Sequence, residues 1–469
     1  MTVSIPDNIF RAYDIRGMVN DGLDERIIEL IGKAVGSEAI ALGETSLVVG
    51  ADARLSSPAF ALAIARGILS TGCDVENIGT VPTPVLYFAT HVCRSNSGVM
   101  ITGSHNPRNY NGVKIVLQNK CLAADQITRL KERIQREDFS AGSGSLTDID
   151  VQPAYLKRIC SDIHLSRPYK VVIDCGNGVA ANSAPMLFSA LGCQVVGLYC
   201  EVDGNFPNHH PDPTHAENLS DLIATVTAEH ADLGIAFDGD GDRVGLVSPS
   251  GRIIDADSIL LAFTADILPE NPGAPVVYDV KSSRRIPQLV NALGGTPVMC
   301  KSGHSFVKKQ MQETQALLGG EYSAHLFFRH RWYGFDDGQY VAARFLELMD
   351  KNACSADELV AGQPASCHTP ELQIPVSEED KFSVMGTLIE HLAIPGATLS
   401  HLDGIRADTH TAWGLVRASN TTPCLVLRFE AETPEALAAI RAQFRTGIHS
   451  LLPALDLSCL ADANPVEAD

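Results

Sequence analysis

The sequence has no uncharged apolar run approaching the ~20 residues that a membrane helix needs. Its first stretch, "MTVSIPDNIFRAYDIRG", puts no basic segment ahead of an apolar core, so no secretory leader is expected. There is no Cys-x-x-Cys pair either. The twelve cysteines are scattered, several inside apolar runs such as Cys193 in "ALGCQVV". That pattern predicts reduced core thiols in a cytoplasmic protein rather than a disulfide or thiolate-metal framework. Cations are scarce as well: 36 Lys and Arg face 56 Asp and Glu, a formal net charge of −20. Nucleic-acid backbones and anionic membranes need clustered cations, so both are argued against as partners. A small anionic ligand in a locally basic cleft is not. Lys281, Arg284, Arg285, Lys301, Lys308 and Lys309, followed by Arg329 and Arg331, crowd one short region. The plainer alternative there is a solvated helix face.

What is present begins with length and repetition. A chain of 469 residues accommodates three or four domains of ~100–200 residues. One pattern occurs three times: "SLVVGADARLSSPAFALAIARGILSTGCDV" from Ser46, "YKVVIDCGNGVAANSAPMLFSALGCQVV" from Tyr169, and "APVVYDVKSSRRIPQLVNALGGTPV" from Ala274. Each reads as strand, polar turn, amphipathic helix, glycine stop, strand, which predicts three related α/β domains. The tail differs. "CLVLRFEAE" alternates like a strand, and "TPEALAAIRAQFRTGIHSLL" is helical with a Thr-Pro start, so a smaller α+β domain is expected. "SAGSGSLTD" (140–148) and "AGQPASCHTPE" (361–371) read as linkers, and "ADANPVEAD" as a disordered end. The expected domains are 1–150, 151–252, 253–366 and 367–469.

Four loops carry chemistry. "GVMITGSHNPRNYNG" (98–112) crowds Ser104, His105 and Asn106 between a glycine and a proline, with Lys114 just beyond; it reads as a loop presenting Ser104. In "GIAFDGDGDRVGLV" (234–247), Asp238, Asp240 and Asp242 alternate with glycines between apolar segments. Alternate residues of an extended chain share a face, so three carboxylates converge and require a neutralising cation. All-oxygen ligands suit Mg²⁺ or Ca²⁺, but Arg243 and Pro249 stand where an EF-hand has its Gly and Glu. Three protein oxygens leave positions open, which suits Mg²⁺ bridging to phosphate. In "WGLVRASNTTPCLVLRF" (413–429), Arg417, Ser419, Asn420, Thr421 and Thr422 offer a phosphate cradle, against the alternative of a polar turn. In "GGEYSAHLFFRHRWYGFDDG" (319–338), Glu321, Ser323 and His325 suit sugar hydroxyls, against a structural loop capped by aromatics. Two further features are discounted. "GNGVAA" looks like a dinucleotide turn but belongs to a repeat whose other copies lack its glycines. "FPNHHPDPTH" holds His209, His210, Asp212 and His215, yet its prolines favour a rigid loop over a metal site.

Taken in order, "TGSHNP", "DGDGDR", "GEYSAH" and "RASNTTP" resemble the α-D-phosphohexomutase superfamily, most closely its bacterial phosphomannomutase/phosphoglucomutase branch. The likeness runs from "RAYDIRG" almost to the C-terminus. It implies a four-domain, heart-shaped α/β molecule: three related mixed α/β domains plus a smaller helix-on-sheet C-terminal domain, each giving one loop to a central cleft. It implies reversible phosphoryl transfer between O1 and O6 of mannose or glucose phosphates. The carriers would be a phosphoserine and a hexose 1,6-bisphosphate intermediate, glucose or mannose 1,6-bisphosphate also serving as activator. Ser104 would be the phosphoserine, and Asp238, Asp240 and Asp242 would hold one Mg²⁺ together with an oxygen on Ser104. Arg243, Arg16, His105 and Lys114 would assist at that end, with His325 as an acid/base group. Glu321 and Ser323 would grip O3 and O4; Arg417, Ser419, Asn420 and Thr421 would hold the other phosphate; Tyr13, Lys281 and His304 would line the cleft. The implied protein is a cytoplasmic monomer, with a dimer as the alternative. It would act on small hexose phosphates and feed nucleotide-sugar and polysaccharide synthesis, with its C-terminal domain closing over the cleft to keep water out. Tyr322 and Ala324 depart from the methionine and glycine this branch often carries, so a phosphoglucosamine mutase stays open. So do a Mg²⁺-dependent sugar phosphatase, a non-catalytic phosphosugar-binding protein and a dehydrogenase built on "GNGVAA".

Overall fold

In the computed structural model, which describes residues 5–11, 14–123, 125–419, 422–462 and 466–467, the Val-Val pair of each repeat lies in a strand with a parallel neighbour on either side. These are the strands Ser46–Ala51, Lys170–Asp174 and Pro275–Asp279, in three separate sheets. Each is followed by helix and then by its first parallel neighbour: Asp74–Thr80, Gln194–Leu198 and Thr296–Cys300. On its other side lie Gly98–Ile101, Leu233–Phe237 and Leu318–Gly320, also parallel. A fourth, antiparallel strand then closes each unit: Tyr110–Leu117, Val244–Val247 and Leu326–Phe328. The three sheets therefore share one core topology.

Burial on both faces explains why these strands read as apolar runs rather than alternations. In the first sheet Leu47, Val49 and Ala51 pack under the helices Glu25–Ala41 and Ser57–Leu69. Val48 points the other way, into the core that includes the helix Thr83–Val92. That second core is continuous through all three α/β units, from Val48 through Tyr155 and Phe188 to Leu260 and Phe345.

The fourth sheet is antiparallel, with the hairpin Ala412–Ala418 and Cys424–Ala431 at its centre. The helices Lys381–His391 and Pro434–Leu451 pack on it around a separate core. Thr433 caps the second by accepting from Ala436 N, as the Thr-Pro start predicts.

Three expectations need correction. The end of "SAGSGSLTD" is not free linker: Leu146–Asp148 adds in parallel to Asp74–Thr80 at the sheet edge. Cys367–His368, inside the second linker, pairs with Cys424–Ala431. The tail is not wholly disordered, because Cys459–Asp462 is helical and Val466–Glu467 pairs with Cys367–His368. In each case a spare sheet edge satisfies backbone groups that a linker would leave to water. Among the described residues no helix is long and apolar enough to cross a membrane.

Candidate active site

The shared topology places three of the chemical loops equivalently. "TGSHNP", "DGDGDR" and "EYSAH" each turn from the third strand of their unit into the fourth. The fourth loop turns between the central hairpin strands of the C-terminal sheet.

Ser104 is buried, with φ 49° in the left-handed region, a strain that surrounding contacts must hold. Its N–H donates to Thr102 Oγ1 at 2.8 Å. Arg54, with no exposed side-chain surface, donates to the carbonyls of Ser104, Asn106, Pro107 and Tyr110 at 2.5–3.0 Å and pairs with Asp52 at 3.3 Å. Ser104 Oγ is thus aimed at Asp238 Oδ2, 3.1 Å away, with His105 Nδ1 also at 3.1 Å. Arg16 donates to Asn106 Oδ1 at 2.7 Å and pairs with Asp14.

The three aspartates converge, but not by alternation along a strand. Residues 238–243 form a tight turn, with Gly241 at φ 76° and Asp238 Oδ1 accepting from the N–H groups of Gly241 and Arg243. Their ligand oxygens lie within 4.8 Å of one another, all buried. Lys114 Nζ bridges Asp240 and Asp242 at 2.7 and 2.5 Å, and Thr83 Oγ1 donates to Asp240 at 2.6 Å. Burial, then Asp240 and Asp242, pushes the Asp238 carboxyl well above its ordinary range. Burial would also raise Asp242, but Lys114 and then His325 hold it well below. Asp240 Oδ1 is buried with no hydrogen bond among the described residues. An oxygen-only, charge-excess cluster with an unsatisfied oxygen fits a hard divalent cation such as Mg²⁺.

His325 joins this cluster to the sugar-type loop. Its Nε2 lies 3.2 Å from Asp242 and its Nδ1 3.2 Å from Glu321 and 3.3 Å from Ser323 Oγ. Burial opposes its charge, but Asp242 outweighs it and raises the imidazole to about 9. His105 and His304 go the other way. Burial first, then Arg243 and Lys308 respectively, holds each well below the usual histidine range. Arg243 lies 3.5 Å from His105 and 3.4 Å from His325, so it ties the two ends together. The His304 ring centroid is 5.6 Å from that of His325.

Arg417 and Ser419 stand at the far end. Arg417 Nε pairs with Asp403 at 3.0 Å, while its Nη2 is buried without a hydrogen bond among the described residues. Ser419 Oγ meets Thr422 Oγ1 at 2.7 Å. Lys281 pairs with Glu371 at 2.8 Å and lies over the Tyr322 ring, linking this end to the Glu321 loop. Tyr13, Asn420 and Thr421 lie outside the described residues. Of the basic run, Lys281 and Arg285 are buried and Lys308 is partly so, whereas Lys309 is the solvated helix-face residue of the plainer reading.

Sequence reasoning missed Asp52, Arg54, Thr83 and Asp336. The last takes Lys308 at 2.8 Å and faces both His304 and His325. The polar "ADAR" turn after the first repeat's strand was the one available signal for Arg54. The discounted features turn out to be buttresses. His209 bonds Asp174 at 2.9 Å, and His210 Nε2 reaches the His105 carbonyl at 2.5 Å. Gly178 packs against the backbone of Gly239, so the "GNGVAA" turn braces the aspartate loop.

Comparison with known proteins fits this arrangement. Family models described as phosphoglucomutase/phosphomannomutase α/β/α domains I, II and III match residues 7–141, 153–251 and 255–367, and the C-terminal domain model matches 371–447. A phosphomannomutase/phosphoglucomutase of Pseudomonas aeruginosa is 51% identical over 96% of this chain and 97% of its own length. A phosphoglucomutase of Neisseria gonorrhoeae is 45% identical over 95% of this chain and 98% of its own. The crystal structure of a phosphoglucomutase/phosphomannomutase family protein from Burkholderia thailandensis superposes with a TM-score of 0.92. It is 46% identical and covers 97% of this chain and 99% of its own. Fold and relatives together define an intramolecular phosphotransferase of the isomerase class. The chain belongs to the phosphoglucomutase/phosphomannomutase family.

Proposed function

We propose that this protein moves a phosphoryl group reversibly between O1 and O6 of mannose and glucose phosphates, with Ser104 as the carrier. The observation that carries the reading is the Ser104 hydroxyl, strained out of its loop and 3.1 Å from an aspartate of a buried carboxylate triad. The four units 1–150, 151–252, 253–366 and 367–469 each supply one loop. Asp238, Asp240 and Asp242, with an oxygen on Ser104, would hold one Mg²⁺, which when bound neutralises charge on the phosphoryl oxygens.

Phosphoryl transfer is catalysed mainly by positioning and by cations around the moving group. Lys114 and Arg243 supply fixed positive charge beside Ser104, and Arg16 steadies its loop through Asn106. His105, neutral and 3.1 Å from Ser104 Oγ, is placed to hold the serine proton when the phosphoryl group leaves or returns. His325, charged at neutral pH, is placed to give a proton to the sugar oxygen whose phosphoryl group returns to Ser104. In the first half-reaction the Ser104 Oγ–P bond breaks and a P–O bond forms on the free O1 or O6, whose hydroxyl proton ends on Ser104 Oγ beside His105, giving the 1,6-bisphosphate. The sugar then turns end for end and the other phosphoryl returns to Ser104. Glu321 and Ser323 hold O3 and O4, which mannose and glucose share, so the C2 difference goes unread. Arg417, Ser419, Asn420 and Thr421 would grip the non-reacting phosphate, for which Arg417 Nη2, without a hydrogen bond among the described residues, is a waiting donor. Lys281 and His304 line the cleft between the two ends, and Tyr13, outside the described residues, would also bind substrate. A 1,6-bisphosphate primes Ser104, the protein works as a monomer in the cytoplasm, and closure of the C-terminal domain excludes water. Twelve free cysteines support the reducing compartment.

A phosphorus NMR time course with Mg²⁺, a trace of glucose 1,6-bisphosphate and, separately, mannose 1-phosphate and glucose 1-phosphate tests the reading. Growth of the 6-phosphate signal without inorganic phosphate, lost in Ser104→Ala, is expected. Inorganic phosphate instead would make the protein a phosphatase, and turnover of glucosamine 6-phosphate alone would make it an amino-sugar mutase.

A further inference from the structure

The C-terminal sheet has its own hydrophobic core, and its apolar seam with the third unit is small: Val280, Trp413 and Leu415, with Met299 against them. Beside that seam, among other polar contacts such as Ser283 to Glu430, runs an alternating stack of cations and rings. Arg406 lies over Trp413, 3.9 Å from guanidinium carbon to ring centroid. Arg428 comes next, 5.5 Å from Trp413 and 3.7 Å from Tyr322. Lys281 Nζ ends the stack 5.5 Å from the other ring, Tyr322. Arg406, Trp413 and Arg428 belong to the C-terminal sheet; Lys281 and Tyr322 belong to the third unit. Both arginines also reach across to one turn. Arg406 Nη1 donates to the carbonyls of Val280 and Ser282, each at 2.8 Å, and Arg428 Nη1 donates to that of Lys281. Arg428 further pairs with Asp257 at 3.3 Å.

Tyr322 is the rung that matters for chemistry, because it sits between Glu321 and Ser323. A guanidinium stacks on an aromatic face with geometric preference and little hydration to lose, and the attraction grows when both are desolvated. Trp413, Arg406 and Arg428 are all buried. An aliphatic side chain at position 322 would offer Arg428 no ring face and remove this link between the sugar loop and the C-terminal sheet.

We infer that Tyr322 is a positioning residue: its ring, clasped by Arg428, sets the sugar loop relative to the C-terminal domain and so sets the affinity for the hexose phosphate. The inference rests on the mutase reading above for what the loop binds, and on contacts alone for the clasp itself. Tyr322→Leu should raise KM for glucose 1-phosphate and mannose 1-phosphate about tenfold with kcat changed less than about threefold. Amide hydrogen exchange over residues 319–325 should accelerate in the unliganded protein. Tyr322→Phe, which keeps the ring, should restore both. Tyr322→Met carries the same expectation as leucine with a flexible chain that adapts to the gap, which covers the case in which the leucine variant fails to fold. Wild-type KM and exchange in both apolar variants would overturn the inference. So would a phenylalanine variant as impaired as leucine, since that assigns the role to the hydroxyl. A wild-type protein without mutase turnover would sink the functional reading, yet the exchange experiment would still decide whether the clasp orders the loop.

Discussion

The carbonyl of Ser104 accepts a 2.7 Å hydrogen bond from Arg54, and that one guanidinium also binds three other carbonyls of the same loop. A buried acceptor left without its donor costs about 1–3 kcal/mol, so the loop conformation depends on Arg54 more than on its own sequence. A lysine keeps the charge but cannot present a planar fork to four acceptors. Arg54→Lys should lower kcat by roughly a hundredfold, about 2.7 kcal/mol of transition-state positioning, while KM moves little. Steady-state kinetics alongside calorimetric melting checks this. An unaltered kcat would mean that the Asp52–Arg54 pair serves stability alone.

The aspartate triad makes a prediction about metal and stability together. Mg²⁺ that binds only the folded state should raise stability by about 2.7 kcal/mol at a hundredfold excess over its Kd. Asp238→Asn should abolish that increment. In chelator it should melt close to wild type, because burial and its neighbours already drive Asp238 toward the neutral acid. Differential scanning calorimetry with and without Mg²⁺ reads both effects, and a retained increment in the variant would remove Asp238 from the ligand set.

Asp337 gives a pH dependence outside the triad. It caps the helix Gly338–Asn352 by accepting from Tyr340 N, takes the Tyr155 hydroxyl at 2.8 Å, and is raised to about 7 chiefly by burial. Its folded pKa lies above its unfolded value, so folding takes up a proton. The associated stability is full below pH ~4 and is lost as pH rises through about 7. Between pH 5 and pH 8 that loss is on the order of 3 kcal/mol. Asp337→Asn keeps an acceptor for the cap and should flatten the slope in urea titrations at the two pH values. An unchanged slope would show that another group carries it.

Ala324 is buried at φ 70° in the loop that also carries Glu321 and Ser323. An alanine pays roughly 1 kcal/mol or more for the left-handed region that glycine occupies freely. The backbone freedom of an unfolded glycine offsets part of this. Ala324→Gly should therefore gain up to about 1 kcal/mol in chemical denaturation, with turnover largely retained. A net loss would mean that packing of the methyl group outweighs the strain.

Much of the architecture was readable from local pattern. The repeated Val-Val strand, polar turn and amphipathic helix at positions 46, 169 and 274 is a short-range signal, and it reports a unit that buries both faces of a parallel strand. The aspartate run was readable too, since three carboxylates so close in sequence must share space. A turn with Gly241 in the left-handed region, not strand alternation, brings them together. The linker segments were less legible, because small polar residues look alike in a loop and at a sheet edge. Whether a spare edge such as that of Asp74–Thr80 lies within reach is a long-range fact.

By itself the sequence determined the three repeated α/β units, the smaller C-terminal unit and the residue types in each loop, because these follow from periodicity, turn residues and charge over a few neighbours. Only the tertiary structure decided that the three loops share one topological position, each entering an antiparallel fourth strand. It alone decided that Lys114 lies between Asp240 and Asp242, and that Arg54, about fifty residues away in the chain, holds Ser104 in place. It alone set His105 and His325 on opposite sides of neutrality. Two histidines with the same intrinsic affinity for a proton separate only when folding buries both near Arg243 but sets His325 alone against Asp242 and Glu321.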